Sequence, residues 1–198
     1  YAHHPDERQV LAETFSAGPD ALFTQTASLG MEGADFLRDF KYVAGCGVMI
    51  RDESKGAVSP LDDGQSDIAY FVEMPDVEKF KKGLEFVAEM FFAAGAESVM
   101  PLLHGARFFR SLNHTRDAIQ DVSGPAPLSL YASHPMGTVR MHANPKRGVV
   151  RPSDGQTHDI ERLHVSDASV LPTGLGVNPQ VTIMANSIAM ARDMVRRG

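Results

Sequence analysis

Residues 174–197, GLGVNPQVTIMANSIAMARDMVRR, contain a loop and a predicted helix, and this helix is the most informative element of the chain. Asn178 stands where the N-cap of a helix belongs, and Pro179 stands at the first helical position, where proline is best tolerated. The apolar residues that follow at helical spacing predict a packing face, made of Val181, Met184, Ile188 and Val195. The start of such a helix presents unpaired N–H groups and the positive end of its dipole, which favour an anion, although a capped packing helix needs no ligand.

Upstream of this helix, helices and strands are mixed without a regular strand–helix–strand alternation. Helices are predicted at 6–16, from Pro75 to a stop at Gly95, and at 111–121. Strands are predicted at 42–51, 57–59, 68–72, 98–103, 128–133 and 162–170, with turns at 52–56 and 61–64 and with Gly30 and Gly33 as breaks. This order predicts an α+β fold in which helices pack on an antiparallel sheet.

Composition and charge exclude several classes of function. The 198 residues are 43% hydrophobic and 22% charged, which is typical of a protein with a sizeable core. A net charge of −6 without a basic run argues against nucleic acid or an anionic membrane as the partner. Cys46 is the single cysteine, so neither an internal disulfide nor a cysteine-based metal site is expected. No apolar run is long enough to span a bilayer, and the compartment stays open because the chain begins at Tyr1 rather than at an initiator Met.

His134 is the candidate catalytic residue outside the last helix. It follows the predicted strand 128–133, and Pro135 and Gly137 after it end that strand. A histidine at the end of a strand is a candidate general base because imidazole exchanges protons near neutral pH. The alternative is a structural or solvated side chain, since the chain has 8 histidines. The others show no metal-ligand spacing, so no metal site is expected.

Two stretches together resemble the C-terminal signature of the glucose-methanol-choline (GMC) oxidoreductase family. They are SHPMGTVRM at 133–141 and LHVSDASVLPTGLGVNPQVTIMA at 163–185, in the family's order and with similar separation. The resemblance implies FAD as the cofactor, with Asp167 and Ala168 at its pyrophosphate and ribityl region. The residues implied beside the pyrimidine edge of the flavin are Asn178, Pro179, Gln180 and Thr182.

The same resemblance implies a reaction and its catalytic pair. His134 matches the active-site histidine of the family, and Asn178 matches a second position that is histidine or asparagine. In the implied oxidation of an alcohol to a carbonyl, His134 takes the hydroxyl proton, Asn178 hydrogen-bonds the substrate oxygen, and a hydride passes to flavin N5. The N–H groups at the start of the last helix would stabilise the negative charge of the reduced flavin near N1 and O2. Val139 and His142 depart from the family pattern, but neither removes a catalytic group.

The family's N-terminal G-x-G-x-x-G motif, which seats the ADP half of FAD, is not found in the sequence. We therefore expect a fragment in which residues 1–160 are mostly substrate-binding domain. Residues 161–198 would supply the C-terminal strand, loop and helix that complete a Rossmann-like FAD-binding domain. The expected partner is the missing N-terminal portion of the same protein, and the chain alone should bind FAD poorly.

The two stretches look closer to long-chain alcohol oxidases and related dehydrogenases than to the sugar-oxidising branch of the family. An apolar or long-chain alcohol is therefore the expected substrate, with a sterol as runner-up because cholesterol oxidases share the Gly-Val-Asn-Pro segment. The rivals are a lyase on the same scaffold and a flavin-free binding domain, which the retained Asp167 and residues 174–185 disfavour. The electron acceptor stays open between oxygen, a quinone and a cytochrome, as does the oligomeric state.

Overall fold

The structure, a computed structural model, describes residues 1–15, 18, 38–105 and 107–197. Its strands are β1 (Ala2–His3), β2 (Val10–Phe15), β3 (Gly45–Ile50), β4 (Gly56–Pro60) and β5 (Ser66–Tyr70). Its helices are α1 (Met74–Ala93), α2 (Leu112–Gln120) and α3 (Gln180–Arg197), with short 3-10 helices at Phe40–Tyr42 and Ala168–Val170. The predicted breaks at Gly30 and Gly33 lie outside the described residues.

The chain divides into two compact units. The first joins Tyr1–Ser54 to Val72–Leu130, and the second joins Lys55–Phe71 to Tyr131–Gly198. The mixture of helices with antiparallel strands confirms the α+β prediction, whereas the functional assignment of 1–160 and 161–198 stays a prediction. Of the helices in the described ranges, none is both long enough and apolar enough to cross a membrane.

In the first unit, α1 packs against an antiparallel sheet whose strand order is β1-β2-β3. β2 is the central strand, and its register with β3 runs from Val10 opposite Ile50 to Phe15 opposite Gly45. Helix α2 packs against α1 as well. Buried side chains from α1 and from the segment after α2 form an apolar core, made of Val77, Val122 and Leu128 with Val72, Phe80, Leu84 and Leu103 around them.

Helix α1 confirms the predicted helix that begins near Pro75. Pro75 lies in its first turn, where the missing N–H costs no helical hydrogen bond. The helix ends at Ala93, and Gly95 follows with a φ of +90°, the left-handed conformation that terminates helices. The amide of Gly95 donates to the carbonyl of Phe92 at 3.0 Å, so one of the last free carbonyls is satisfied.

Three other predictions are wrong. Residues 6–16, predicted as a helix, contain strand β2, because pairing with β1 on one side and β3 on the other outweighs the weak helical spacing of a short segment. The turn at 52–56 does not join β3 and β4 in a hairpin, since β3 pairs with β2 and β4 pairs with β5. Segments 98–103 and 128–133 are not strands; they are linked by an isolated bridge between Leu103 and Leu128.

Asp76 fastens the start of α1 to the chain that follows β3. Its carboxylate is 1% exposed and accepts hydrogen bonds from the backbone N–H of Glu53 at 2.9 Å and of Ser54 at 2.7 Å. The ammonium of Lys79, one turn along the helix, lies 2.9 Å from the same carboxylate. Because every oxygen of this buried carboxylate has donors, the charge is stabilised where an unpaired one would be costly.

This cluster predicts an acid-sensitive contribution to stability. Burial alone would raise the pKa of Asp76, but hydrogen bonds from Ser54 and Lys79 outweigh burial and hold that pKa below its ordinary value of 3.8. A carboxyl whose pKa is lower in the folded state stabilises the fold above the unfolded pKa, and this stabilisation is lost as pH falls through the folded pKa. Asp76→Asn is therefore expected to lower the free energy of unfolding at pH 7 by about 2 kcal/mol.

The measurement is urea unfolding of both proteins between pH 7 and pH 3. The difference in free energy of unfolding between wild type and Asp76→Asn should shrink toward the acid end, because the carboxyl of the unfolded wild type takes up a proton at a higher pH than that of the folded protein. Asp117→Asn, at an exposed position of α2, is the control and should change stability little at any pH. A difference that stays constant down to pH 3 would show that the charge of Asp76 does not contribute.

The second unit consists of a hairpin and of residues 131–197. The hairpin pairs β4 with β5 through the predicted turn at 61–64. The apolar core of the second unit consists of Val150, Val170 and Met190 of α3, with Val139, Met141 and Val165 packed against them. The predicted strand at 162–170 is wrong: His164 makes one bridge to Gln156, and the chain then enters the 3-10 helix at Ala168–Val170.

Helix α3 confirms the predicted C-terminal helix, but the face that it buries differs from the predicted one. Met190 is buried, and the half-buried positions 183, 186, 187 and 193 share its face. The predicted packing face is exposed instead, with Val181 at 74% and Val195 at 83% exposure. Hydrophobic spacing missed the buried face because Asn186, Ser187 and Asp193 make it look polar in the sequence.

Candidate active site

One open pocket in the second unit collects most of the residues singled out from the sequence. It has a volume of about 460 Å³, which falls within the range of small-molecule sites. Three segments supply its walls: the chain at 133–135, the 3-10 helix after Asp167, and the chain at 178–184. The residues that line it are Ser133, His134, Pro135, Ala168, Asn178, Pro179, Gln180, Ile183 and Met184.

The start of α3 forms one side of this pocket. The carbonyl of Pro179 accepts the first helical hydrogen bond, from the amide of Ile183 at 2.9 Å, so the helix begins at Gln180, one residue later than predicted. Because Ile183 is the first donor, the N–H groups of residues 180–182 have no partner inside the helix. Pro179 and Gln180 both line the pocket. The positive end of the helix dipole therefore lies at the pocket and favours negative charge there.

His134 and Asn178 line the same pocket from separate segments. The imidazole of His134 is half-buried, and within the described residues the structure records no hydrogen bond to its ring nitrogens. Asn178 is exposed, and its amide both donates and accepts hydrogen bonds. The imidazole can accept a proton and the amide can hydrogen-bond a polar atom of a molecule bound in this pocket.

Two other predicted site residues lie elsewhere. The carboxylate of Asp167 turns to its own loop and accepts a hydrogen bond from the backbone N–H of Ser169 at 2.8 Å. Thr182 is exposed in the first turn of α3 and is not among the residues that line the pocket. The structure thus brings together five of the predicted residues, namely His134, Ala168, Asn178, Pro179 and Gln180.

Sequence reasoning missed four lining residues, which are Ser133, Pro135, Ile183 and Met184. Ser133 and Pro135 flank His134, so their proximity follows from the chain. Ile183 and Met184 lie about one helical turn after Pro179 and Gln180, and helical spacing places them on the same face. That helical spacing could have identified Ile183 and Met184 from the sequence. It did not, because Met184 was assigned to the predicted packing face of the helix.

The comparison with known families decides the family of this chain. A family model described as GMC oxidoreductase matches residues 52–187. The chain belongs to the GMC oxidoreductase family. The resemblance found in the two sequence stretches is thereby confirmed, and the match spans both of them.

Curated relatives agree with this assignment. A long-chain-alcohol oxidase of Arabidopsis thaliana is 33% identical over 161 residues, covering 74% of this chain and 21% of the relative. An uncharacterized GMC-type oxidoreductase of Mycobacterium tuberculosis is 31% identical over 188 residues, covering 95% of this chain and 29% of the relative. A second long-chain-alcohol oxidase of Arabidopsis thaliana is 27% identical over 198 residues, covering 93% of the chain and 26% of the relative. The chain therefore spans less than a third of the length of these relatives.

GMC oxidoreductases are generally FAD-dependent, and the pocket fits part of such a group. A flavin is a flat ring system with apolar faces and a polar edge that gains negative charge on reduction. The pocket offers apolar surface from Pro135, Ile183 and Met184, and beside it the N–H groups at the start of α3 that have no partner inside the helix. The residues present therefore fit the polar edge and an apolar face of a flavin.

Proposed function

We propose that this GMC chain carries the catalytic pair of an FAD-dependent alcohol oxidoreductase that converts an apolar, long-chain alcohol to the carbonyl compound. The observation that carries the proposal is the placement of His134 and Asn178 on one pocket, at the positive end of α3. Two polar groups of complementary chemistry, next to a site that favours negative charge, are what proton removal from an alcohol requires.

His134 acts as the general base in this proposal. Its imidazole takes the hydroxyl proton of the alcohol, which leaves negative charge on the substrate oxygen. An electron pair of that oxygen then forms the second bond of the carbonyl as the carbon–hydrogen bond breaks and the hydride leaves. Asn178 donates a hydrogen bond from its amide to that oxygen and holds it in place. FAD, held by Ala168, Pro179, Gln180 and Thr182 together with Asn178 and by the backbone of the turn that begins at Asp167, would supply the hydride acceptor.

The apolar lining supports a long-chain alcohol over a sugar. Pro135, Ile183 and Met184 present hydrocarbon and thioether surface to the pocket, and such surface favours alkyl chains over hydroxyl-rich substrates. The two Arabidopsis relatives named above are long-chain-alcohol oxidases, which is consistent with this substrate class. A sterol, whose hydroxyl sits on a rigid apolar ring system, is the substrate to compare directly.

We further propose that a second portion of the same flavoprotein completes the FAD-binding domain and covers the exposed face of α3. The relatives are more than three times as long as the matched region, so a whole protein of this family has residues beyond it. The exposed face of α3 carries Val181, Met184, Ile188 and Val195 at helical spacing. Covering these side chains would stabilise the association by about 1.5–3 kcal/mol for each fully buried one.

The test is the visible absorption spectrum of the full-length protein before and after addition of a medium-chain primary alcohol without oxygen. We expect a flavin spectrum that bleaches with the alcohol, bleaches more slowly or not at all with a sterol, and does not bleach with glucose. A flavin spectrum that stays oxidised with all three alcohols would sink alcohol oxidation and favour a lyase. Protein that purifies with no flavin would overturn the enzymatic proposal altogether.

A further inference from the structure

Asp167 caps its own loop. The backbone N–H of Ser169 donates to its carboxylate oxygen Oδ1 at 2.8 Å, and the hydroxyl of Ser169 donates to the same oxygen at 2.5 Å. Asp167 is thus the N-cap of the 3-10 helix Ala168–Val170, which satisfies an N–H that the first turn leaves unbonded. Ala168, the next residue, lines the pocket, whereas Asp167 itself does not.

The capped turn holds the segment that follows His134. The carbonyl of Ser169 accepts a hydrogen bond from the N–H of Val139 at 3.0 Å, and the carbonyl of Val170 accepts one from the N–H of Met141 at 2.8 Å. These two bonds fix the chain only a few residues after His134. Because the backbone between residues 134 and 139 is short, a shift of the turn moves the imidazole.

The same loop is tied to the helix on the other side of the pocket. The hydroxyl of Ser187, on the buried face of α3, donates to the carbonyl of Ser166 at 2.7 Å. Ser166 directly precedes Asp167, so one bond joins α3 to the capped turn and two join the turn to the segment of His134. The loop at 166–170 is therefore the connection between the two segments that carry His134 and Asn178.

We propose that Asp167 is a positioning residue for the alcohol oxidation proposed above, on which this inference rests. Its carboxylate does not act on the flavin or the substrate; it holds the turn whose carbonyls set His134 opposite the start of α3. A role of this kind needs a hydrogen-bond acceptor at position 167 and does not need a negative charge. A direct electrostatic role toward the cofactor would need the charge.

Two substitutions separate these roles. Asp167→Asn keeps a carbonyl oxygen that can accept from the N–H of Ser169, and asparagine is as good an N-cap as aspartate. Asp167→Ala removes both the acceptor and the charge. Asp159→Ala, at an exposed position of the same unit, is the matched control for loss of an aspartate. Ser187→Ala tests the link to α3 without touching position 167.

The first readout is hydrogen–deuterium exchange by mass spectrometry in the full-length flavoprotein, over peptides that cover residues 136–143. Asp167→Ala is expected to speed exchange of the Val139 and Met141 amides about 10-fold, because loss of a cap destabilises the turn by roughly that factor. Asp167→Asn and Asp159→Ala should exchange as wild type does, and Ser187→Ala should fall between. Unchanged exchange in the folded Asp167→Ala protein would overturn the inference.

The second readout is the rate of anaerobic flavin bleaching at saturating and at low alcohol. Asp167→Ala should lower the saturating rate about 10-fold or more, with little change in the half-saturating concentration, because a displaced base slows chemistry more than binding. Asp167→Asn should restore the rate to within about threefold. An Asp167→Asn protein that bleaches as slowly as Asp167→Ala would overturn the inference. If Asp167→Ala does not fold, the Asp167→Asn rate still decides: a rate about 10-fold or more below that of wild type would overturn the inference. If alcohol fails to bleach wild type, the proposed function fails, while the exchange measurement still decides whether Asp167 holds the turn.

Discussion

Replacement of His134 with alanine should slow reduction of the flavin by alcohol about 10²–10⁴-fold, the range typical of loss of a general base. The reason is that His134 is half-buried on the pocket and no described residue hydrogen-bonds its ring, so the imidazole is available to a substrate hydroxyl. The measurement is the single-turnover rate of anaerobic bleaching in a stopped-flow instrument, which reports the chemical step without the electron acceptor.

This prediction has two controls: a variant of another histidine, and the flavin content of the His134→Ala protein. His104→Ala replaces an exposed histidine of the first unit and should leave the rate of bleaching unchanged. The flavin spectrum of His134→Ala should keep its wild-type amplitude, because the proposed role of His134 concerns the substrate proton. A rate within about threefold of wild type at saturating alcohol would remove His134 from the chemistry, since general-base catalysis contributes far more than that.

The site was more predictable than the fold, for a physical reason. The start of α3 was found from a rigid local signal, proline at the first helical position. His134 was found from Pro135 and Gly137 after it and from the resemblance of residues 133–141 to the GMC family. Such signals act over a few residues and do not depend on the rest of the protein. Hydrogen bonds join the loop at 166–170 both to the segment after His134 and to α3, and no sequence pattern indicated these bonds.

The errors in the fold share another cause. β2 is only 6 residues long, too short for its periodicity to distinguish strand from helix, and its identity is decided by pairing with β1 and β3. The face of α3 was misassigned because its more apolar side is the exposed one. The hydrogen bond from the N–H of Ser169 to the carboxylate of Asp167 is a local geometry that aspartate favours but that spacing alone does not reveal.

The largest loss of stability is expected from Gly155→Ala. Gly155 has a φ of +67°, and a Cβ atom placed on it would lie 2.4 Å from the carbonyl oxygen of Val165 and 2.8 Å from the sulfur of Met190. A left-handed alanine costs about 1–2 kcal/mol, and overpacking adds about 1–3 kcal/mol. We therefore expect urea unfolding, followed by circular dichroism, to show a free energy of unfolding lower by about 2–5 kcal/mol.

Gly95→Ala separates the two causes. Gly95 also has a positive φ, +90°, but no heavy atom lies within 4 Å of the Cβ position, so this variant should lose only about 1–2 kcal/mol. Equal losses in the two variants would show that the close approach at Gly155 contributes nothing. The carbonyl of Val165 cannot withdraw freely, because the amide of the same residue donates to the carbonyl of Gly155 at 2.9 Å.

Met190 connects the clash at position 155 to the pocket that His134 and Asn178 line. Met190 packs with Val150 and Val170 in the core of the second unit, and Val170 belongs to the turn that Asp167 caps. A side chain at position 155 that displaces Met190 is therefore expected to shift α3, which carries Met190, and the turn that contains Val170. Gly155→Ala protein that remains folded should consequently exchange the amides of Val139 and Met141 faster than wild type, whereas Gly95→Ala should not.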